Sequence, residues 1–167
     1  MQYRALGHSG LRVSALSYGA WLTVSESGFV PLETHLEILR TALRRGVNFI
    51  DNAESYGAYV GESEVLMGQA LQRLFQEGLR RSELVVSTKI FQGGDTVNAR
   101  GLSRKHLVEG LRASLQRLQL DYAPRRRCME TRGFKWVFYG SLRFLILFHA
   151  VPFDFRGVRM DFMLDSA

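Results

Sequence analysis

The chain has 167 residues, of which 46% are hydrophobic and 23% charged. That balance fits one globular domain with a real core and excludes a large multidomain enzyme or a disordered chain. A single cysteine, Cys128, excludes an intrachain disulfide. The net charge of +6 is uneven: residues 1–122 carry 14 basic and 12 acidic side chains, and residues 123–167 carry 8 and 4. The excess therefore sits in the tail, largely in Arg125-Arg126-Arg127. A run of three arginines reads best as a solvated patch, so no nucleic-acid partner is expected. Met1-Gln2-Tyr3-Arg4 is not followed by an apolar stretch, so no secretory signal is expected and the expected location is cytoplasmic.

In chain order, the first expected element is a hairpin. Tyr3 to Leu6 reads as a strand, Gly7-His8-Ser9-Gly10 as a turn, and Leu11 to Ser14 as the return strand. A short apolar run, Ala15 to Tyr18, ends at Gly19, and a loop is expected from about Thr23 to Val30. Pro31 opens a helical segment with Leu32, His35, Leu36, Leu39, Ala42 and Leu43 on one face, and Gly46 stops it. Val47 to Ile50 is β-prone and runs into Asp51. The cycle then repeats, with a helix from Glu62 to about Phe75, a break at Gly78 and a strand over Leu84–Thr88 ending in Lys89. Ser103 is placed to cap a third helix bearing Leu107, Val108, Leu111, Leu115 and Leu118, and Leu120-Asp121-Tyr122 approaches a further strand.

Regular alternation of strand and helix indicates a parallel α/β fold. An open dinucleotide-binding sheet normally carries a G-x-G-x-x-G turn after its first strand, and none is present. Instead Asp51 and Lys89 stand at the C-terminal ends of successive strands, the face on which closed barrels build their sites. The fold class expected is therefore α/β, with a closed parallel barrel preferred over the open sheet; the resemblance described below implies that it is an incomplete (β/α)8 TIM barrel.

Asp51, Tyr56 and Lys89 form a chemically coherent set. A tyrosine hydroxyl is a weak acid, with an ordinary pKa of about 10. A nearby ammonium favours its ionised form, and a carboxylate can hold that ammonium in place. Taken singly, each has a plainer explanation: a turn cap, a packed aromatic ring, a solvated strand end. Spacing alone does not bring the three together.

A resemblance joins them. Asp51-Asn52-Ala53-Glu54-Ser55-Tyr56-Gly57, with Gly61-Glu62-Ser63-Glu64 and Met67-Gly68, resembles the aldo-keto reductase signature around its catalytic aspartate and tyrosine. Val85-Val86-Ser87-Thr88-Lys89 resembles the strand ending in the catalytic lysine. The opening residues resemble the hairpin closing the barrel floor, and Gly19-Ala20-Trp21 resembles the first cofactor-contacting loop. Lys89-Ile90-Phe91, Gly93-Gly94 and Arg100 to Leu118 resemble especially the β subunits of voltage-gated potassium channels and their plant and microbial relatives.

This resemblance covers about 122 residues. It implies a (β/α)8 barrel that uses NADP(H) to reduce aldehydes or ketones, with Tyr56 as proton donor and Lys89 and Asp51 in support. Gly19, Ala20, Trp21 and Asp51 would adjoin the nicotinamide end of the cofactor, and no metal is expected. Ala20 stands where the channel-subunit group usually has threonine, which removes one polar contact to the cofactor. Asn52 replaces a common threonine. The implied partners are a small carbonyl substrate, with a potassium channel or a second copy of the chain as further candidates.

The pattern breaks at Ala123. The resemblance calls for a strand ending in a histidine or asparagine, the fourth catalytic group, but Ala123-Pro124-Arg125-Arg126-Arg127-Cys128 follows instead. Residues 123–167 hold seven of the 11 phenylalanines and no clear alternation of strand and helix. His149 has no matching context. Two regions are therefore expected: residues 1–122 as the front of a barrel, and residues 123–167 as a divergent tail. The break resembles a shifted reading frame, a retained intron or an alternative transcript end, so a truncated chain, weakly active or inactive, is expected. The span from Trp136 to Phe155 contains Arg143 and Pro152, so contact of the tail with a membrane is not expected.

Overall fold

The computed structural model describes residues 1–25, 28–123, 127–131 and 134–138. The chain opens with strands β1 (Tyr3–Ala5) and β2 (Arg12–Ser14), which pair antiparallel with Tyr3 opposite Ser14. Gly7 and Gly10 take positive φ in the turn between them, where a side chain would be strained. Strand β3 (Tyr18–Gly19) leads into a 3-10 turn at Ala20–Thr23. The expected loop after Thr23 contains a small antiparallel ribbon, β4 (Val24–Ser25) against β5 (Gly28–Phe29).

Three βα repeats follow the expected order. Helix α1 (Leu32–Arg44) connects β3 to β6 (Phe49–Asp51), and helix α2 (Glu62–Gln76) connects β6 to β7 (Val85–Ser87). Helix α3 (Arg104–Leu118) comes after β7. Strands β3, β6 and β7 form one parallel sheet in that order, with Gly19 beside Asp51 and Asp51 beside Ser87. Parallel neighbours joined by crossover helices are the repeating unit of a (β/α)8 barrel. The expected partial barrel is what residues 1–122 build.

Alternation along each strand explains the two cores. Ile50 and Val86 face the helices and pack with Leu36, Leu39, Met67, Leu71 and Leu118. Phe49 and Val85 face the other way and pack under the hairpin with Leu6 and Val13. The hairpin thus covers one end of the sheet and leaves the C-terminal strand ends clear.

Local chemistry fixes the helix boundaries. Pro31 precedes the first turn of α1, and Gly46 at φ +86 follows its last. The Ser103 hydroxyl accepts the His106 amide at 3.1 Å, which makes the expected cap of α3. Helices α2 and α3 approach closely at Gly68, where a Cβ would lie 2.3 Å from the Arg117 carbonyl oxygen. Beside α1, the Tyr18 hydroxyl lies 3.0 Å from His35 Nδ1, and the His35 ring is buried. Burial pushes the Tyr18 phenol up to about 12 and the His35 imidazole down to about 4.

In the tail, β8 (Arg127–Thr131) and β9 (Phe134–Phe138) pair antiparallel as a sheet of their own. No alternation of strand and helix was expected there, and the hairpin introduces none. Among the described residues no helix is long and apolar enough to cross a membrane. His149 and the Phe144–Phe148 run lie outside the described residues.

Candidate active site

The sheet order brings β6 and β7 side by side, and their C-terminal ends place Asp51 and Lys89 together. Lys89 Nζ donates to Asp51 Oδ2 at 2.6 Å, to the Asn52 carbonyl at 2.8 Å and to Tyr56 Oη at 2.9 Å. Its side chain is 4% exposed and that of Asp51 24%. Ser87, two residues before Lys89, donates its hydroxyl to Asp51 Oδ1 at 2.9 Å. Both oxygens of the carboxylate are therefore directed by β7.

Tyr56 sits in the loop between β6 and α2 and is buried. Its amide donates to the Ala53 carbonyl at 3.2 Å, and its carbonyl accepts the Ser63 amide at 3.0 Å. The indole of Trp21 meets its ring edge to face, with centroids 4.8 Å apart. Trp21 is 57% exposed, so it stands as an open aromatic wall beside the phenol. Gly19 is exposed, and a Cβ there would meet nothing within 4 Å. Ala20 is fully buried, and its carbonyl accepts the Ser63 hydroxyl at 3.0 Å. Of the six residues singled out, five converge on the mouth at the strand ends, and Ala20 lies just beneath it.

The electrostatics differ from the simplest expectation. An adjacent ammonium favours a phenolate, but the Tyr56 phenol is pushed above its ordinary value, first by burial and then by the charge of Asp51. The proton stays on the tyrosine oxygen. Burial pulls the Lys89 ammonium down, while Asp51, and more weakly Glu64, hold it up. The arrangement is a protonated phenol with a cation 2.9 Å behind its oxygen, ready to stabilise negative charge there once the proton leaves.

With that geometry in place, likeness to known proteins becomes informative. The pattern of the Aldo/keto reductase family matches residues 15–123. The chain belongs to the aldo/keto reductase family. It is 53% identical over 122 residues to a probable voltage-gated potassium channel subunit beta of Oryza sativa subsp. japonica, a match covering 73% of this chain and 35% of that protein. It is 50% identical over 128 residues to a protein of the same description from Arabidopsis thaliana, covering 77% of this chain and 37% of that one. Among solved structures, a putative aldo-keto reductase from Pseudomonas aeruginosa superposes with a TM-score of 0.59 at 29% identity, over 72% of this chain and 43% of that one. The chain thus spans about a third of the length of the curated relatives it matches.

Sequence reasoning passed over several groups that this member of the aldo/keto reductase family packs around the candidate site. Ser87 was legible in principle, because residues two apart on a strand share a face. Glu54, Glu64 and His106 gave no such signal. Glu64 is fully buried, accepts the Thr88 hydroxyl, and takes Arg117 Nε at 2.7 Å. Its partners come from β7's end and from α3, separations that no local pattern reveals.

Proposed function

We propose that this chain carries the catalytic centre of an NADP(H)-dependent reductase of aldehydes and ketones. The observation that carries the reading is the Asp51–Lys89–Tyr56 chain of contacts, at 2.6 and 2.9 Å, on the strand-end face. Bound NADPH would supply the hydride that reduces the carbonyl carbon. Tyr56 donates the proton to the developing alkoxide, and the Lys89 ammonium then stabilises the phenolate left behind. Asp51, steered by Ser87, keeps the ammonium charged against the pull of burial.

The residues present fit the nicotinamide end of the cofactor. Gly19, paired beside Asp51, presents open backbone, and the exposed indole of Trp21 packs edge-on against the Tyr56 ring. In this reading the backbone at Gly19–Ala20 and the Asp51 carboxylate would hold the nicotinamide end, and Ala20 would contribute packing rather than a polar contact. A fourth catalytic histidine or asparagine has no counterpart among the described residues after Tyr122. We therefore read the described residues as supplying three of the four catalytic groups, with weak activity and an NADPH affinity weaker than micromolar.

Tyr56→Phe tests the assignment. The expected result is at least a 100-fold loss of NADPH-dependent aldehyde reduction with the fold retained. An unchanged rate would refute the role of the phenol. Fluorescence titration giving a micromolar NADPH affinity would refute the weak-binding reading.

A second reading rests on the descriptions of the two plant relatives: a regulatory partner of a potassium channel, with the redox chemistry secondary. Co-purification with a channel subunit, at an affinity untouched by Tyr56→Phe, supports it. Failure to associate, together with aldehyde-dependent NADPH oxidation, rules it out.

A further inference from the structure

We infer that Glu54 is a positioning residue, which pins the loop carrying Tyr56 to the strand end carrying Lys89 and is itself held from behind by His106 of α3. The inference deepens the reductase reading and rests on it for its functional meaning.

Glu54 lies between Asp51 and Tyr56 and is 1% exposed. Its amide donates to the Lys89 carbonyl at 3.1 Å, and its carbonyl accepts the Gly61 amide at 2.6 Å. One carboxylate oxygen accepts the Phe91 amide, and His106 Nε2 lies 3.4 Å from that same oxygen. The other oxygen faces Gly93 and Gly110, where an added Cβ would lie 2.9 and 3.2 Å from it. One residue therefore grips the segment on both sides of Ile90, by its backbone at Lys89 and by its side chain at Phe91. Two glycines leave space for the grip.

A buried carboxylate is an expensive way to fasten a loop unless its charge is used. Here it receives a charge-assisted bond from Phe91 and faces an imidazole whose Nε2 has no other hydrogen-bond partner among the described residues. Behind it lies a cavity of about 220 Å³, bordered also by Lys105, Glu109 and Arg117. Lys105 is paired with Glu109 at 2.5 Å and Arg117 with Glu64 at 2.7 Å, so neither cation is committed to Glu54. Burial, with a smaller push from the Glu64 charge, raises the Glu54 carboxyl above its ordinary value, while Phe91 and His106 oppose that rise. Protonation of Glu54 replaces the charge-assisted bond to Phe91 with a weaker one and loosens the register between the phenol and the ammonium.

The test is NMR on the full chain, without cofactor. The Phe91 amide proton is followed against pH together with the Tyr56 ring resonances, the latter assigned with Tyr56→Phe. The Phe91 signal is expected to move upfield as pH falls, with a midpoint above 4.5, and the Tyr56 signals to move with the same midpoint. Glu54→Gln, which still offers an oxygen to Phe91, is expected to abolish that step while leaving Tyr56 near its neutral-pH position. Glu54→Ala is expected to displace Tyr56. If Glu54→Ala does not fold, the wild-type coupling and the glutamine variant decide.

A Phe91 step that Tyr56 does not share overturns the inference, as does a Tyr56 step that survives Glu54→Gln. The outcome is separable from the reductase reading. Coupled titration combined with an unchanged rate in Tyr56→Phe would sink the enzyme and leave the positioning intact. Loss of coupling with a dead Tyr56→Phe would do the reverse.

Discussion

Asp51→Asn isolates the cost of holding an ammonium at the end of β7. In the native protein Lys89 Nζ has Asp51 Oδ2 at 2.6 Å, and its side chain is 4% exposed. The variant keeps the shape and leaves the cation with neutral acceptors, the Asn52 carbonyl and the Tyr56 hydroxyl. Removing one partner of a buried pair costs roughly 3–5 kcal/mol. Asp51 is 24% exposed, so water offsets part of this, and a loss of about 2 kcal/mol at pH 7 is expected. The pH dependence supplies the sharper check. Burial holds the folded Lys89 below its ordinary 10.5, so between the folded and unfolded values the unfolded chain binds more protons, and stability rises with pH through that window. Asp51→Asn lowers the folded value further and widens the window downward. Urea unfolding followed by circular dichroism at pH 7 and pH 10 should show the gap between variant and wild type shrinking at the higher pH. An equal gap at both values would refute the electrostatic reasoning, and no gap at pH 7 would refute the pairing itself.

Gly68→Ala should cost about 1–3 kcal/mol by overpacking, because its methyl group would fall 2.3 Å from the Arg117 backbone oxygen; the urea midpoint reads this. Acidification should expose His35. Its folded pKa of about 4 lies below the ordinary 6.5, so its contribution is complete above 6.5 and is lost as pH falls toward 4, by at most about 3 kcal/mol. His35→Phe should therefore flatten the stability profile between those values, and an unchanged profile would count against a buried neutral imidazole. Ser103→Ala should cost about 1 kcal/mol through the lost cap on the His106 amide, visible as a lowered unfolding midpoint.

Strand β6 ends in Asp51, Lys89 follows the end of β7, and the loop after β6 brings the Tyr56 phenol to the ammonium. The hairpin β1–β2 closes the opposite end, where Leu6 and Val13 cover Phe49 and Val85. Stability and chemistry thus occupy opposite ends of the same three strands. Change at Val85 should act on folding, and change at Lys89, four residues on, should act on the site.

The residues by themselves determined the repeating architecture and singled out a candidate set of reactive groups. Periodicity of 3.6 placed the three helices, glycines and Ser103 marked their ends, and family likeness singled out Asp51, Tyr56 and Lys89. Strand limits shifted by one or two residues, because hydrogen-bonded pairing, rather than β-prone composition, sets where a ladder begins and stops. Only the tertiary structure decided how the groups act on one another. Side-by-side pairing of β6 and β7 set the distance from Lys89 to Asp51, and burial reversed the expected fall in the Tyr56 pKa. Glu54, Glu64 and His106 gained their importance from partners on other elements. Contact across dozens of residues is a property of packing, which no local pattern of the chain encodes.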